Sequence, residues 1–185
     1  MKIFIRFLII IAVLSLLVFS LYKDKSSNII ATNQKQHIDS MSFDSVKING
    51  VLPLLSIETD FEKVFGKPLK VEKINQNEVC VSFFNEPDRF IEFQDSKCEG
   101  YKDSVVLMTL NFQNNKSYFL NYGSMRFSSE TTLEDFKKMY PSNQPYEIAD
   151  KKMVMAFSTC NVCDDKFHFI FENGKLIEFR YWMPC

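Results

Sequence analysis

The chain has 185 residues, room for one domain once a targeting segment is set aside, and its 46% hydrophobic content and mean hydropathy of −0.12 exclude a multi-span membrane protein. Aromatic residues reach 15%, with 19 Phe against one Trp, which is too much apolar bulk for a chain disordered over most of its length. The formal net charge is −1, and −3 without Lys2 and Arg6 (20 basic against 23 acidic residues), so there is no field to gather phosphates and nucleic acid is not an expected partner.

The chain opens on a positively charged start, Lys2 and Arg6, followed by the uncharged, almost wholly apolar run Phe7 to Tyr22. At about 1.5 Å per residue that run makes roughly 24 Å of helix, a little short of a bilayer core of about 30 Å. Residues 1–22 therefore read as a signal peptide or a membrane anchor. A signal peptide would be cut after Ser20, at Val18-Phe19-Ser20. An anchor would be lengthened by Ile3 to Ile5, with Arg6 snorkelling to the headgroups. Phe19 and Leu21 make a bulky cleavage region, which favours the anchor. No Cys lies near the end of the run, so a lipid-modified N-terminus is not expected. In both readings the positive start stays cytoplasmic and the rest is exported, as a single-pass membrane protein with its domain on the periplasmic side or as a secreted one.

Residues 23–42 are polar and without sustained periodicity, a tether between the membrane and an exported α+β domain over residues 43–185. The first predicted helix is Ser56 to Phe65, with Ile57, Phe61, Val64 and Phe65 on one face, Ser56 as its cap, and Gly66 and Pro68 as its stop. Strands are expected at Ser45 to Ile48 before it, and at Leu69 to Ile74, Val79 to Phe84, Phe90 to Phe93 and Val105 to Phe112 after it. Tyr118 to Phe127 is the next strand-like stretch, with a break at Gly123. The second predicted helix is Thr131 to Tyr140, with Thr131 and Glu134 as a capping box and Pro141 as its end. Met153 to Phe157, Phe167 to Phe171 and Leu176 to Trp182 are the closing strands.

Asp60-Phe61-Glu62-Lys63-Val64-Phe65 lies 75 residues before Asp135-Phe136-Lys137-Lys138-Met139-Tyr140, and strand signals flank both helices in the same order. The expected plan is a tandem pair of β-α-β-β-β units, 43–116 and 117–185, with antiparallel sheet. Within the second unit, Asn173-Gly174 reads as a two-residue type I′ turn that places residue 172 opposite 175. That register puts Phe167, Phe169, Phe171, Leu176 and Trp182 on one face, and Ile170, Ile177, Phe179 and Tyr181 on the other. Glu178 and Arg180 fall with the first set, which is therefore the face expected to meet water or a partner.

Cysteines in an exported domain form structural disulfides by default. The hairpin register carries Cys185 back to the loop holding Cys160 and Cys163, so Cys163–Cys185 is the expected bridge, with Cys160 as the competing partner. Cys80 and Cys98 form the second expected pair. Cys160-Asn161-Val162-Cys163 is formally C-x-x-C, but it sits between strand signals rather than at a helix N-terminus. Asp164 and Asp165 also oppose thiolate formation, which argues against redox catalysis. Zinc ligation lacks a second C-x-x-C or a paired histidine set. His37, in the tether, and His168, in a strand, read as ordinary polar residues, and the acid pairs Glu58/Asp60 and Glu134/Asp135 as solvated helix faces. No catalytic, cofactor-binding or metal-ligating set emerges, and no cofactor is expected.

The segments Ser56–Pro68 and Thr131–Pro141, each leading into strands behind an export signal, make the region 43–185 resemble the beta-lactamase inhibitor protein fold and the related small envelope-assembly lipoproteins. The resemblance implies a non-enzymatic protein that binds another envelope protein through a concave sheet. The missing lipidation Cys is a departure from the lipoprotein branch. Two other readings stay open: a thiol-dependent or hydrolytic envelope enzyme, and a structural domain whose apolar sheet face builds a homodimer.

Overall fold

The computed structural model describes residues 40–74, 82–160 and 162–184. The leader, most of the tether, and Cys80, Asn161 and Cys185 lie outside the described residues. The chain enters at Ser40, which forms a parallel bridge with Ser158, and at the fully buried Met41, whose N–H donates to Ser158 O at 2.9 Å. A 3₁₀ turn, Phe43–Ser45, leads into β1 (Val46–Ile48). Asn49 and Gly50, both at positive φ, turn it back into β2 (Leu52–Pro53). β3 (Leu55–Ile57) then runs into α1 (Glu58–Phe65), which Gly66 ends with φ +82°.

A four-strand meander follows: β4 (Lys70–Lys73), β5 (Arg89–Glu92), β6 (Ser96–Tyr101) and β7 (Ser104–Asn111). A hairpin of β8 (Phe119–Tyr122) and β9 (Met125–Ser128) precedes α2 (Leu133–Met139), and a second meander follows it. That meander comprises β10 (Tyr146–Glu147), β11 (Met153–Ser158), β12 (Lys166–Glu172) and β13 (Lys175–Trp182). The fold is thus α+β with antiparallel strand ladders.

The two meanders join edge to edge, in the order β10-β11-β12-β13-β7-β6-β5-β4, with β3 added on β7. The central β13·β7 contact pairs Phe179 with Leu110. The two hairpins form a second sheet, β2-β1-β8-β9, joined through β1·β8. One hydrophobic core lies between the inner face of the large sheet and the layer of helices and small sheet. Its centre is Phe136 of α2, with ring centroids 4.8 Å from both Phe127 of β9 and Phe169 of β12.

Both helix starts lie later than the sequence reading placed them. Ser56 does not cap α1: Ile57 holds the N-cap position, and Ser56 Oγ donates instead to Asp60 Oδ2 at 3.0 Å. Ser56 is drawn into β3 because Val105 of β7 pairs with it. For α2 the capping residue is Thr132, whose Oγ1 accepts from Asp135 N at 3.0 Å, and not Thr131, which accepts from Ser128 N within the preceding turn. Of the expected strand Val79 to Phe84, residues 79–81 lie outside the described residues and 82–84 are not strand.

Candidate interaction surface

The register of the β12–β13 hairpin decides which side chains reach solvent. Asn173 and Gly174, at φ +49° and +77°, form the expected turn, with Glu172 opposite Lys175 and Phe171 opposite Leu176. Beyond it, Ile177 is an extra residue: Ile170 pairs with Glu178, Phe169 with Phe179, Phe167 with Tyr181 and Lys166 with Trp182. A bulge of one residue reverses the facing of everything after it. Glu178, Arg180 and Trp182 therefore leave the face of Phe167, Phe169 and Phe171, and Phe179 and Tyr181 join it.

That face is the inner one, which corrects the expected partner-binding set. Phe167 and Phe169 are 0% exposed and Phe171 and Leu176 only 1%, because the helices and small sheet pack on them. Four of the five residues are core. Trp182 alone reaches the surface, on the opposite face and 37% exposed.

On that outer face, Ala156, His168, Arg180, Thr109, Lys97, Glu92 and Lys70 form one cross-strand row from β11 to β4. At one end of it the indole of Trp182 stacks on the imidazole of His168, with centroids 5.5 Å apart and planes 12° from parallel. Tyr146 of β10 closes the other side, its Oη 3.4 Å from His168 Nε2. Val154 and Ile170, both buried, are the apolar floor. Arg180 donates from Nε and Nη2 to Glu178 Oε1 at 2.9 and 2.6 Å, so its charge has a partner within the face.

Burial, and then the positive charges of Arg180 and Lys166, lower the His168 pKa to about 4. The imidazole is neutral at pH 7, and Tyr146, whose phenol burial pushes up, stays protonated beside it. This is an aromatic cluster with polar tips, in which His168 is stacked on Trp182 and meets Tyr146 edge-on at 83°. At its lowered pKa the His168 imidazole is a weak base, and the exposed ring faces with their polar tips can take part in contact. The sequence reading missed Tyr146 and treated His168 as ordinary; the period-two pairing of His168 with Arg180 was the usable signal, hidden by the bulge.

At the far end of the same face lies an open cleft of about 300 Å³, bordered by Phe90 and Met108 and by the ion pairs Lys70–Glu72 (2.5 Å) and Lys97–Glu92 (3.8 Å). Glu99 is buried, and its carboxylate accepts from Ser82 Oγ at 2.5 Å and Phe84 N at 2.9 Å, which ties down the loop at residues 82–84. Three of the four acids in the pairs Glu58/Asp60 and Glu134/Asp135 are likewise in structural use, while Glu134 is exposed. Glu58 binds Arg89, Asp60 binds Lys63, and Asp135 binds the cap hydroxyl of Thr132. Among the described residues no group of three or more His, Cys, Asp and Glu is placed to hold a metal ion.

The cysteine pairing also differs from expectation. Cys160 is bonded to Cys163, which rules out the Cys163–Cys185 bridge. The physical reason is proximity: the tight reversal between β11 and β12 brings these two Cα atoms to 5.2 Å, within bridging range, whatever the position of Cys185. Cys98 is a free thiol with 1% exposure, so the Cys80–Cys98 pair is not formed either. Cys98 points into the core from β6 and packs there as a small apolar side chain, and burial pushes its pKa far up, so it is inert. Beside the bridge, Asp165 Oδ2 accepts from Thr159 Oγ1 at 2.7 Å and from Tyr181 Oη at 2.6 Å.

Among the described residues no helix is long and apolar enough to cross a membrane. No family model, curated protein or solved structure matches this chain.

Proposed function

We propose that the protein is a non-enzymatic binding protein of the cell envelope, held at the membrane by residues 1–22 through the tether 23–42, and that it grips another protein with the outer face of its large sheet. The observation that carries this reading is the Tyr146–His168–Trp182 cluster, edge-on at Tyr146 and stacked at Trp182, left partly exposed above an apolar floor while nearly every other aromatic ring near it is core. Aromatic side chains and Arg are the residue types that dominate binding energy at protein interfaces. The cross-strand row from β11 to β4 spans about 29 Å, six spacings of about 4.8 Å, which suits a patch of about 800 Å² on one partner. Charges along the row are self-paired, so the face carries little net field and favours a protein surface over a polyanion.

The same reading takes the domain as two tandem units, 43–116 and 117–185, in the manner of the beta-lactamase inhibitor protein fold. It is supported by the recurrence of hairpin, helix and meander and by the two antiparallel joints that relate the halves, β7·β13 and β1·β8.

A photo-crosslinking residue at position 182 tests the contact in cells. It is expected to yield an adduct with a second, different polypeptide, while the same residue at Lys137, exposed on α2, yields none. Adducts from both positions alike, or from neither, would remove the proposal. An adduct only with another copy of this chain would replace it with the homodimer reading.

A further inference from the structure

The bridge that the register did not foresee has a setting of its own. Cys160 and Cys163 lie in the reversal between β11 and β12, both partly exposed, and Val162 between them is 92% exposed, so this corner projects into solvent. A bridge that closes so short a loop removes the least entropy from the unfolded chain, so it adds less to stability than a bridge between distant strands would. It is also the point where the fold meets the entering chain. Ser158 and Lys166 form the last rung of the β11·β12 ladder beside the bridge, and the Ser158 carbonyl holds the N–H of Met41.

We propose that Cys160–Cys163 is a thiol–disulfide exchange site for dithiols, and that opening it loosens the attachment of the entering chain at Ser40–Met41. In the exchange, a thiolate of the dithiol attacks one bridge sulfur. The Cys160–Cys163 S–S bond breaks as a mixed disulfide forms, and the sulfur released takes up a proton. The second thiol of the reagent then attacks the mixed disulfide. It leaves Cys160 and Cys163 as two thiols and the reagent as its own cyclic or internal disulfide, two electrons having passed from reagent to protein. Asp164 and Asp165 lie beside Cys163, and their negative charge disfavours a thiolate there, so the bridged form is the resting one. A dithiol, with its built-in resolving thiol, opens the bridge where a monothiol stalls at the mixed disulfide. Cys98 takes no part, since it is buried in the core.

The test uses the full chain in native buffer, with dithiothreitol as the dithiol probe and glutathione as the monothiol. Free thiols are alkylated and mapped by peptide mass, and amide hydrogen exchange is followed in parallel. Dithiothreitol is expected to make Cys160 and Cys163 alkylatable while Cys98 stays protected. Exchange at the Met41 and Thr159 amides should rise several-fold with that at Phe169 and Phe179 unchanged, and reoxidation should reverse both effects. Labelling of Cys160 and Cys163 only in step with Cys98 would overturn the proposal, because the bridge would then open only on unfolding. Equal opening by glutathione would overturn the dithiol preference. The double variant Cys160→Ser/Cys163→Ser should show the fast Met41 exchange without reductant; slow exchange there would overturn the link to the entering chain.

Discussion

His168 is a neutral imidazole held between a phenol and an indole, and its protonation state bears on stability. Its folded pKa, about 4, lies below the ordinary value of 6.5, so the neutral ring stabilises the fold fully above pH 6.5. That contribution is lost as the pH falls from 6.5 towards 4. The full effect would be about 3 kcal/mol, and solvent screening at this partly exposed site reduces it to about 1–2 kcal/mol. His168→Phe keeps a ring between Tyr146 and Trp182 but removes the titration. Urea unfolding of the variant at pH 7 and pH 4 should therefore give a smaller loss of stability than the parent shows, and an identical loss would exclude His168 as the acid-sensitive group. At Gly100, lying opposite Arg89 across β5 and β6, an added Cβ would come within 3.0 Å of Arg89 Cγ and 3.1 Å of Nε. Arg89 cannot yield freely, because it donates to Glu58 Oε2 at 2.5 Å, to Lys102 O at 2.6 Å and to Asp88 Oδ1 at 2.6 Å. Gly100→Ala should cost about 1–2 kcal/mol in urea unfolding, and Arg89→Ala in the same background should make the Gly100→Ala step nearly free.

At the level of elements, the two helices are held in different ways. The first turn of α2 is closed by its own sequence: the Thr132 hydroxyl accepts from Asp135 N and donates to Asp135 Oδ2 at 2.6 Å. Thr132→Ala should lose about 1 kcal/mol, read as a drop in melting temperature, while Thr131→Ala leaves the α2 cap intact and should cost less. The N-cap residue of α1, Ile57, makes no side-chain cap bond, and the start of that helix is fastened from outside through Glu58 and Arg89. Sequence reading missed four strands, β2, β3, β6 and β10, and β6 shows the same dependence on neighbours. Ser96 to Tyr101 contains Glu99 and Gly100, poor strand formers, and it is a strand because β5 and β7 pair with it on both sides.

For the molecule as a whole, stability concentrates where the helix layer meets the sheet. Phe136 is fully buried and its ring lies within 6 Å of the rings of Phe127, Tyr140, Phe157, Phe169 and Phe171. Phe136→Ala should cost about 3–5 kcal/mol, a large part of the roughly 5–15 kcal/mol that holds a domain of this size, and should lower the melting temperature far more than Phe136→Leu. Val162→Ala, at a side chain 92% exposed, is the control, and its melting temperature should not move measurably.

What the sequence determined by itself is whatever depends on a few neighbouring residues. The apolar spacing of Phe61 and Phe65, and of Phe136 and Tyr140, places both helices to within two residues at their starts. Asn173-Gly174 sets a type I′ turn because both residues tolerate positive φ, and the mix of two short helices with many aromatic strands makes the class α+β. Only the tertiary structure decided which sheet face is covered, which cysteines meet and where the exposed aromatic cluster lies. The physical reason is that each depends on relations between distant segments. The extra residue at Ile177 carries no sequence mark, yet it reverses the facing of Glu178 to Trp182. Bridging follows distance in space, which the reversal after β11 settled for Cys160 and Cys163. The cluster needs Tyr146, His168 and Trp182 from three strands, and no period within any one of them announces the other two.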